Sequence, residues 1–476
     1  MKDYASYSFW LENSGDDLTP RPPLDGSTSV DVAILGAGFT GLWTAYHLLQ
    51  RDPSLKVVVL EAEIAGFGAS GRNGGWCFAG FPYPPSDLVE EYGREAARAV
   101  SLAMYDSVDD VGRVCELEGI DAHYAKGGEL EVARADYDLP KLEEMYEEFR
   151  AIGLEGHYRL LDKSQTEERI RVAGALGSFW NKEGAAVQPA RLARGLARAV
   201  ERHGGVIYEQ TRVTDYVPGP LPRLDTERGN VSAKAIVLAG EAYLSRLPKL
   251  RRRIVPATSH IVITEPLSDD IWQQIGWEER DVLGGFGTTG AYLNHTADGR
   301  IAFGPYRGKY PFNSTITDAL DRQEDIFEHA RMSALEWFPM LAGARFTHSW
   351  GGVFGIPRDH MPIMQYDRTT GVAMGYGYTG EGVATANLSG RVLADLITEQ
   401  DTDLTRLPMT RHTPVDWEPE PVRWAGYSLV RRGRYKLTEE VERIGRYPDK
   451  PRLSQRLWDM YPPRAWRSLW KMGGRS

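Results

Sequence analysis

The sequence predicts an α/β chain: a doubly wound, Rossmann-like domain joined to a second domain built on a mixed or antiparallel sheet. Three observations lead there. Residues 32–61 read as strand, glycine turn, helix, strand and acid in that order. A second glycine-rich stretch, GASGRNGGWCFAG, follows at once at 68–80. Short β runs at 254–266, 290–299 and 300–307, with a turn at Asp298-Gly299, lie apart from both.

The totals fit this reading. A chain of 476 residues, 42% hydrophobic and 26% charged, is long enough for two or three domains and a large core. Its net charge of −10 argues against nucleic acid as a partner. Cys77 and Cys115 alone provide neither a disulfide framework nor a paired-cysteine zinc site, and no metal is expected. The first residues are acidic and lack an apolar run, and no stretch is long and apolar enough to span a membrane. The expected setting is the reducing cytoplasm.

Each element of the first series has a physical reason. Val32 to Leu35 is a short apolar strand. Gly36, Gly38 and Gly41 form G-x-G-x-x-G, which lets backbone and a pyrophosphate approach closely. Leu42 to Leu49 continues with helical spacing, so the helix's positive N-terminus faces the phosphates, with Phe39 and Thr40 of the turn among the cofactor contacts. A second strand, 56–60, ends at Glu61 and Ala62, with Glu61 placed 20 residues after Gly41 to accept hydrogen bonds from ribose hydroxyls. Its charge disfavours a 2′-phosphate. A nicotinamide enzyme usually passes from this strand into a helix, whereas here a second glycine loop follows. That loop is expected to lie along a long, rigid ligand, with Ser70 near the phosphates and Asn73, Gly74, Gly75 and Trp76 near the far end. A flavin ring fits, which makes FAD the cofactor. Arg72 has three options: to point outward, to sit near the ring, or to pair with an internal acid such as Glu381.

At these motifs the chain resembles the D-amino-acid oxidase/glycine oxidase family of FAD enzymes, and within it the γ-glutamylputrescine oxidase-like branch, where A-S-G-R-N-G-G is typical. The resemblance runs over about 31–397 and includes EGAAVQPARLARGLARAV (183–200), AIVLAGEAY (235–243), SWGGVFGIPRDHMPIM (349–364) and GVAMGYGYTGEGVATANLSGRVLADLI (371–397). It implies adenine contact at Val213 and a return to the dinucleotide at Ala239 and Gly240. It also implies flavin contacts at Gly352 and at Thr379, Gly380, Glu381, Gly382 and Val383, at the start of a helix whose dipole favours negative charge. Where many relatives have G-H-G this chain has Gly380-Glu381-Gly382, so Glu381 is expected to turn away or meet a cation. With no cysteine after Cys115 and no histidine in 69–80, FAD is expected to be non-covalent.

The resemblance places the substrate on the second sheet, across the flavin. The polar candidates there are His260, Tyr292 and Arg307, with Asn294 and His295 beside them; Arg307 could grip a carboxylate bidentately or lie at the surface. Residues 86–118 and 139–152 read as helices. The boundaries are then 25–123, 181–251 and 341–400 for the FAD-binding domain, 124–180 and 252–340 for the substrate domain, and 401–476 for a basic, Trp-rich C-terminal extension. Residues 417–476 hold 14 Lys/Arg against 7 Asp/Glu and five Trp. That extension could meet anionic lipid, but its prolines are expected to interrupt any long amphipathic helix, so wrapping over the acidic body or a subunit contact is favoured. The oligomeric state is not indicated.

The function expected is oxidation of a small-molecule amine or amino acid, primary or secondary, to an imine by hydride transfer to flavin. The resemblance implies molecular oxygen as acceptor, giving hydrogen peroxide. The rivals are a dehydrogenase with another electron acceptor, a flavin-binding interaction protein, and a nicotinamide dehydrogenase.

Overall fold

The computed structural model describes residues 2–286 and 290–446. The closing segment WRSLWKMGGRS, and with it much of the lipid-contact reading, lies outside the described residues.

Thr28–Leu35 is the centre of an eight-stranded sheet. Its main path runs Ile363–Asp367, Val372–Tyr376, Gly229–Leu238, Thr28–Leu35, Val57–Leu60, Val206–Tyr208. Every pairing on that path is parallel except the one made by Ile363–Asp367. All four residues of Val57–Leu60 are buried, as expected for a parallel strand covered on both faces. Alternate residues feed two cores: Val32, Ile34, Val57 and Val59 enter one, and Ala33, Val58 and Leu60 the other. Helices Phe39–Arg51 and Gly382–Ile397 cross the first face so closely that a Cβ at Gly390 would lie 2.5 Å from the Trp43 Cβ.

The second sheet is mixed. Its order is Phe346–Ile356, Val255–Thr264, Ile301–Pro305, Ala291–His295, Val282–Gly285, Glu129–Ala133, Gly177–Asn181, Tyr158–Asp162. Only Val282–Gly285 and Glu129–Ala133 pair in parallel.

Three expectations need correction. Phe346–Ile356 pairs antiparallel with Val255–Thr264 along its length, so it lies in the second sheet and not with the 341–400 piece of the first domain. The 86–118 segment is two helices, Pro85–Tyr92 and Arg94–Glu118. Gly93 separates them with φ 88 and ψ 165, a conformation that only glycine adopts readily. The C-terminal extension does carry a long helix, Val422–Ile444, in a stretch free of proline. Its base is anchored: buried Trp417 donates Nε1–H to the Ile356 carbonyl, and buried Arg423 donates to the Arg251 carbonyl. Among the described residues, no helix is long and apolar enough to cross a membrane.

Gly93→Ala meets no atom within 4 Å, so its cost is backbone strain alone, about 1–3 kcal/mol. Denaturant unfolding should show that loss, and an unchanged midpoint would contradict the strained joint.

Candidate active site

Residues from both sheets line one cavity of about 1170 Å³. At one end lie Gly36, Gly38, Phe39, Thr40, Glu61, Ala62, Val213, Ala239 and Gly240. Gly36 has φ +98, and a Cβ there would sit 2.8 Å from the Ala239 carbonyl oxygen. Gly41 does not line the cavity. A Cβ at Gly41 would be 1.9 Å from the Gly36 carbonyl oxygen, so this glycine seats the helix on the turn. Glu61 accepts from the Ala37 amide at 2.8 Å and the Glu63 amide at 2.9 Å. Burial nevertheless pushes its carboxyl up to about 7.

The 68–76 loop forms the middle of the cavity wall. Ser70 Oγ accepts from the Phe39 amide at 2.8 Å, tying the loop to the helix N-terminus. Trp350 and Trp10 donate their indole N–H groups to the Arg72 and Asn73 carbonyls at 2.9 and 2.8 Å. Asn294 Nδ2 donates to the Gly74 and Gly75 carbonyls, both at 3.0 Å. Gly75 itself does not line the cavity, because Asn294 and the Val187 carbonyl crowd it. Among the described residues the Asn73 and Gly74 amides donate to no protein acceptor, and both residues line the cavity. Trp76 lines it too and donates to the Leu293 carbonyl.

Arg72 lines the cavity, but its partner is not Glu381. Its guanidinium donates to Asp321 Oδ2 at 2.7 Å and to the Tyr243 hydroxyl at 2.9 Å, and stacks over Phe67. Gly352, Thr379, Gly380, Glu381, Gly382 and Val383 also line the cavity. Glu381 neither turns out to solvent nor meets a cation: its Oε2 is buried without a partner. Burial, reinforced by Glu129, pushes it up to about 8.

The second sheet closes the far end. Tyr292 lies in the wall with its ring against Gly74 and Gly304, and its hydroxyl bonds Ser259 Oγ. Burial pushes its phenol up to about 12. Arg307 lines the cavity with its guanidinium 5.5 Å from the Tyr435 ring. His260 does not reach it. The ring is wholly buried on the opposite face, donating to the Leu320 carbonyl at 2.9 Å beside Phe327. His295 stacks on Trp272 and is likewise outside the wall.

The sequence reading missed several wall residues. Glu129 and Glu131 line the cavity, with Tyr306 and with Tyr427, Arg431, Arg434 and Tyr435 of the C-terminal helix. The two glutamates had a signal: the alternation in GGELEVA puts both on one face of a strand. Asp321 had none, because it meets Arg72 from 249 positions away.

Residues 31–396 match the model of the DAO family, FAD dependent oxidoreductases, and the chain belongs to that family. It is therefore an FAD-dependent oxidoreductase. Gamma-glutamylputrescine oxidoreductase of Escherichia coli (strain K12) is 30% identical over 393 residues, spanning 82% of this chain and 88% of that protein. Glycine oxidase of Geobacillus kaustophilus (strain HTA426) is 23% identical, over 80% and 97%. The crystal structure of glycine oxidase from Geobacillus kaustophilus superposes with a TM-score of 0.68 at 22% identity, covering 81% of this chain and 99% of that one.

Arg72→Ala leaves the largely buried Asp321 side chain, 14% exposed, without its cation and should cost about 3–5 kcal/mol of stability. Chemical denaturation measures it, and a loss below about 1 kcal/mol would mean that the pair is solvated. Glu61→Ala should weaken FAD by about 1.5–3 kcal/mol, the worth of a charge-assisted hydrogen bond. Titration of apoprotein with FAD reads this directly, and unchanged affinity would place the ribose elsewhere.

Proposed function

We propose that this chain oxidises a primary or secondary amine or amino acid to its imine, with oxygen as acceptor and hydrogen peroxide as second product. The observation that carries the reading is one continuous cavity. It joins a dinucleotide turn and its ribose-directed acid to a polar, aromatic wall on the second sheet. Bound FAD supplies the hydride acceptor; the chain supplies binding and orientation.

On this reading the N-terminus of Phe39–Arg51 holds the phosphates, Glu61 the ribose, and the Asn73 and Gly74 amides the ring edge. Tyr292 and Tyr306 form an aromatic wall that orients the substrate and excludes water. FAD is held non-covalently: neither cysteine lines the cavity, and both are buried. Two unpaired thiols suit the reducing cytoplasm, where we place the protein.

The test is anaerobic mixing of the yellow holoenzyme with a panel of amines and amino acids, among them γ-glutamylputrescine and glycine, the compounds in the relatives' names. Bleaching by at least one member, peroxide on admitting air, and FAD in the supernatant after acid precipitation are expected. No bleaching by any member would overturn the reading. Bleaching without peroxide would assign the electrons to another acceptor.

A further inference from the structure

Glu129 and Glu131 leave the same face of strand Glu129–Ala133 and line the cavity, where Glu381 joins them. On the neighbouring strand Gly284 stands opposite Glu131. A Cβ at Gly284 would lie 2.0 Å from Glu131 Oε1, so the glycine makes room for that carboxylate. Glu129 Oε2 accepts from Asn181 Nδ2 at 2.9 Å. Glu131 is only 8% exposed, and among the described residues no hydrogen bond or ion pair reaches it. Glu381 Oε2 is equally without a partner. Three of the basic residues that line the cavity have aromatic neighbours: the Arg307 guanidinium lies 5.5 Å from the Tyr435 ring, Arg431 donates to the Tyr435 and Tyr427 hydroxyls, and Tyr435, Tyr427 and Tyr306 all act on Arg434.

A buried carboxylate is costly to ionise, most of all without a partner, and here three share one wall, of which only Glu129 has a hydrogen-bond donor. Burial, reinforced by Glu129 and Glu381, holds Glu131 well above the carboxylate range, and Glu129 likewise adds to the burial that raises Glu381. The group that complements such a wall is a cation.

We infer that Glu129, Glu131 and Glu381 form the subsite for the substrate's ammonium group, and that the substrate is an amine with no carboxylate on the reacting carbon. This rests on the amine-oxidation reading above. An ammonium on the wall draws these acids into their charged form; a carboxylate one bond from the reacting carbon would then share the wall with them, and like charges at that range repel strongly in a water-poor site. The wall thus selects by repulsion as well as by attraction.

The test uses probes that bind without turning over. Tert-pentylamine has no hydrogen on the carbon bearing nitrogen, and isovaline is the same skeleton with one methyl replaced by carboxylate. Calorimetric titration of wild-type holoenzyme should show tert-pentylamine binding at least tenfold tighter than isovaline. Glu131→Gln, with FAD content unchanged, should weaken tert-pentylamine at least tenfold. Equal affinity for the two probes, no binding of the amine, or an unaltered Glu131→Gln affinity overturns the subsite. If Glu131→Gln does not fold, Glu129→Gln and the wild-type comparison decide. Failure here is separable from failure of the oxidation reading. A holoenzyme that discriminates the probes but is bleached by nothing keeps the subsite and loses the oxidase. One that is bleached by glycine but shows no charge discrimination does the reverse.

Discussion

The 68–76 loop is held by its carbonyl oxygens, and the architecture of the cavity depends on that. Ser8, Trp10, Trp350 and Asn294 take the carbonyls of residues 71 to 75 from outside. These donors come from the N-terminal segment and from two strands of the second sheet. Buried carbonyls need partners, so satisfying them locks the second sheet to the dinucleotide domain through one loop. The amides of Asn73 and Gly74 are left to face the cavity. The Arg72–Asp321 pair adds a charged tie at the same place.

The electrostatics of the cavity follow from burial. Glu61, Glu129 and Glu381 are pushed to about 7, 7 and 8. Glu61 has two backbone amides to oppose the shift, whereas at Glu381 the negative charge of Glu129 adds to the effect of burial. A cation held on the wall of Glu129, Glu131 and Glu381 would offset the Glu381 carboxylate at the start of Gly382–Ile397 and leave that helix N-terminus free to favour negative charge nearby. The departure from G-H-G is therefore compatible with the helix's electrostatic role.

The C-terminal helix is an addition beyond the family match, which ends at 396. It nonetheless contributes Tyr427, Arg431, Arg434 and Tyr435 to the cavity wall. Its seat is made by buried Trp417 and Arg423, whose donors reach carbonyls of other segments. A wrap over the body is the role this described part plays.

Much was legible in the sequence because it depends on local rules. The strand–turn–helix–strand series, the acid 20 residues on, and the second glycine loop are set by backbone sterics and by period-2 and 3.6-residue patterns. Those alone determined the doubly wound domain, the cofactor class and nearly every residue of the turn. Tertiary structure decided the rest. Gly41 and Gly75 shape the wall without lining it, His260 points to the opposite face of its sheet, and Phe346–Ile356 joins the second sheet. Arg72 finds Asp321, and Glu129 and Glu131 gather with Glu381. The reason is sequence distance: an ion pair spanning 249 positions, or a strand's choice between two sheets, leaves no local signature. Which face of a strand meets the cavity is set only when distant strands pair and the two sheets close around it.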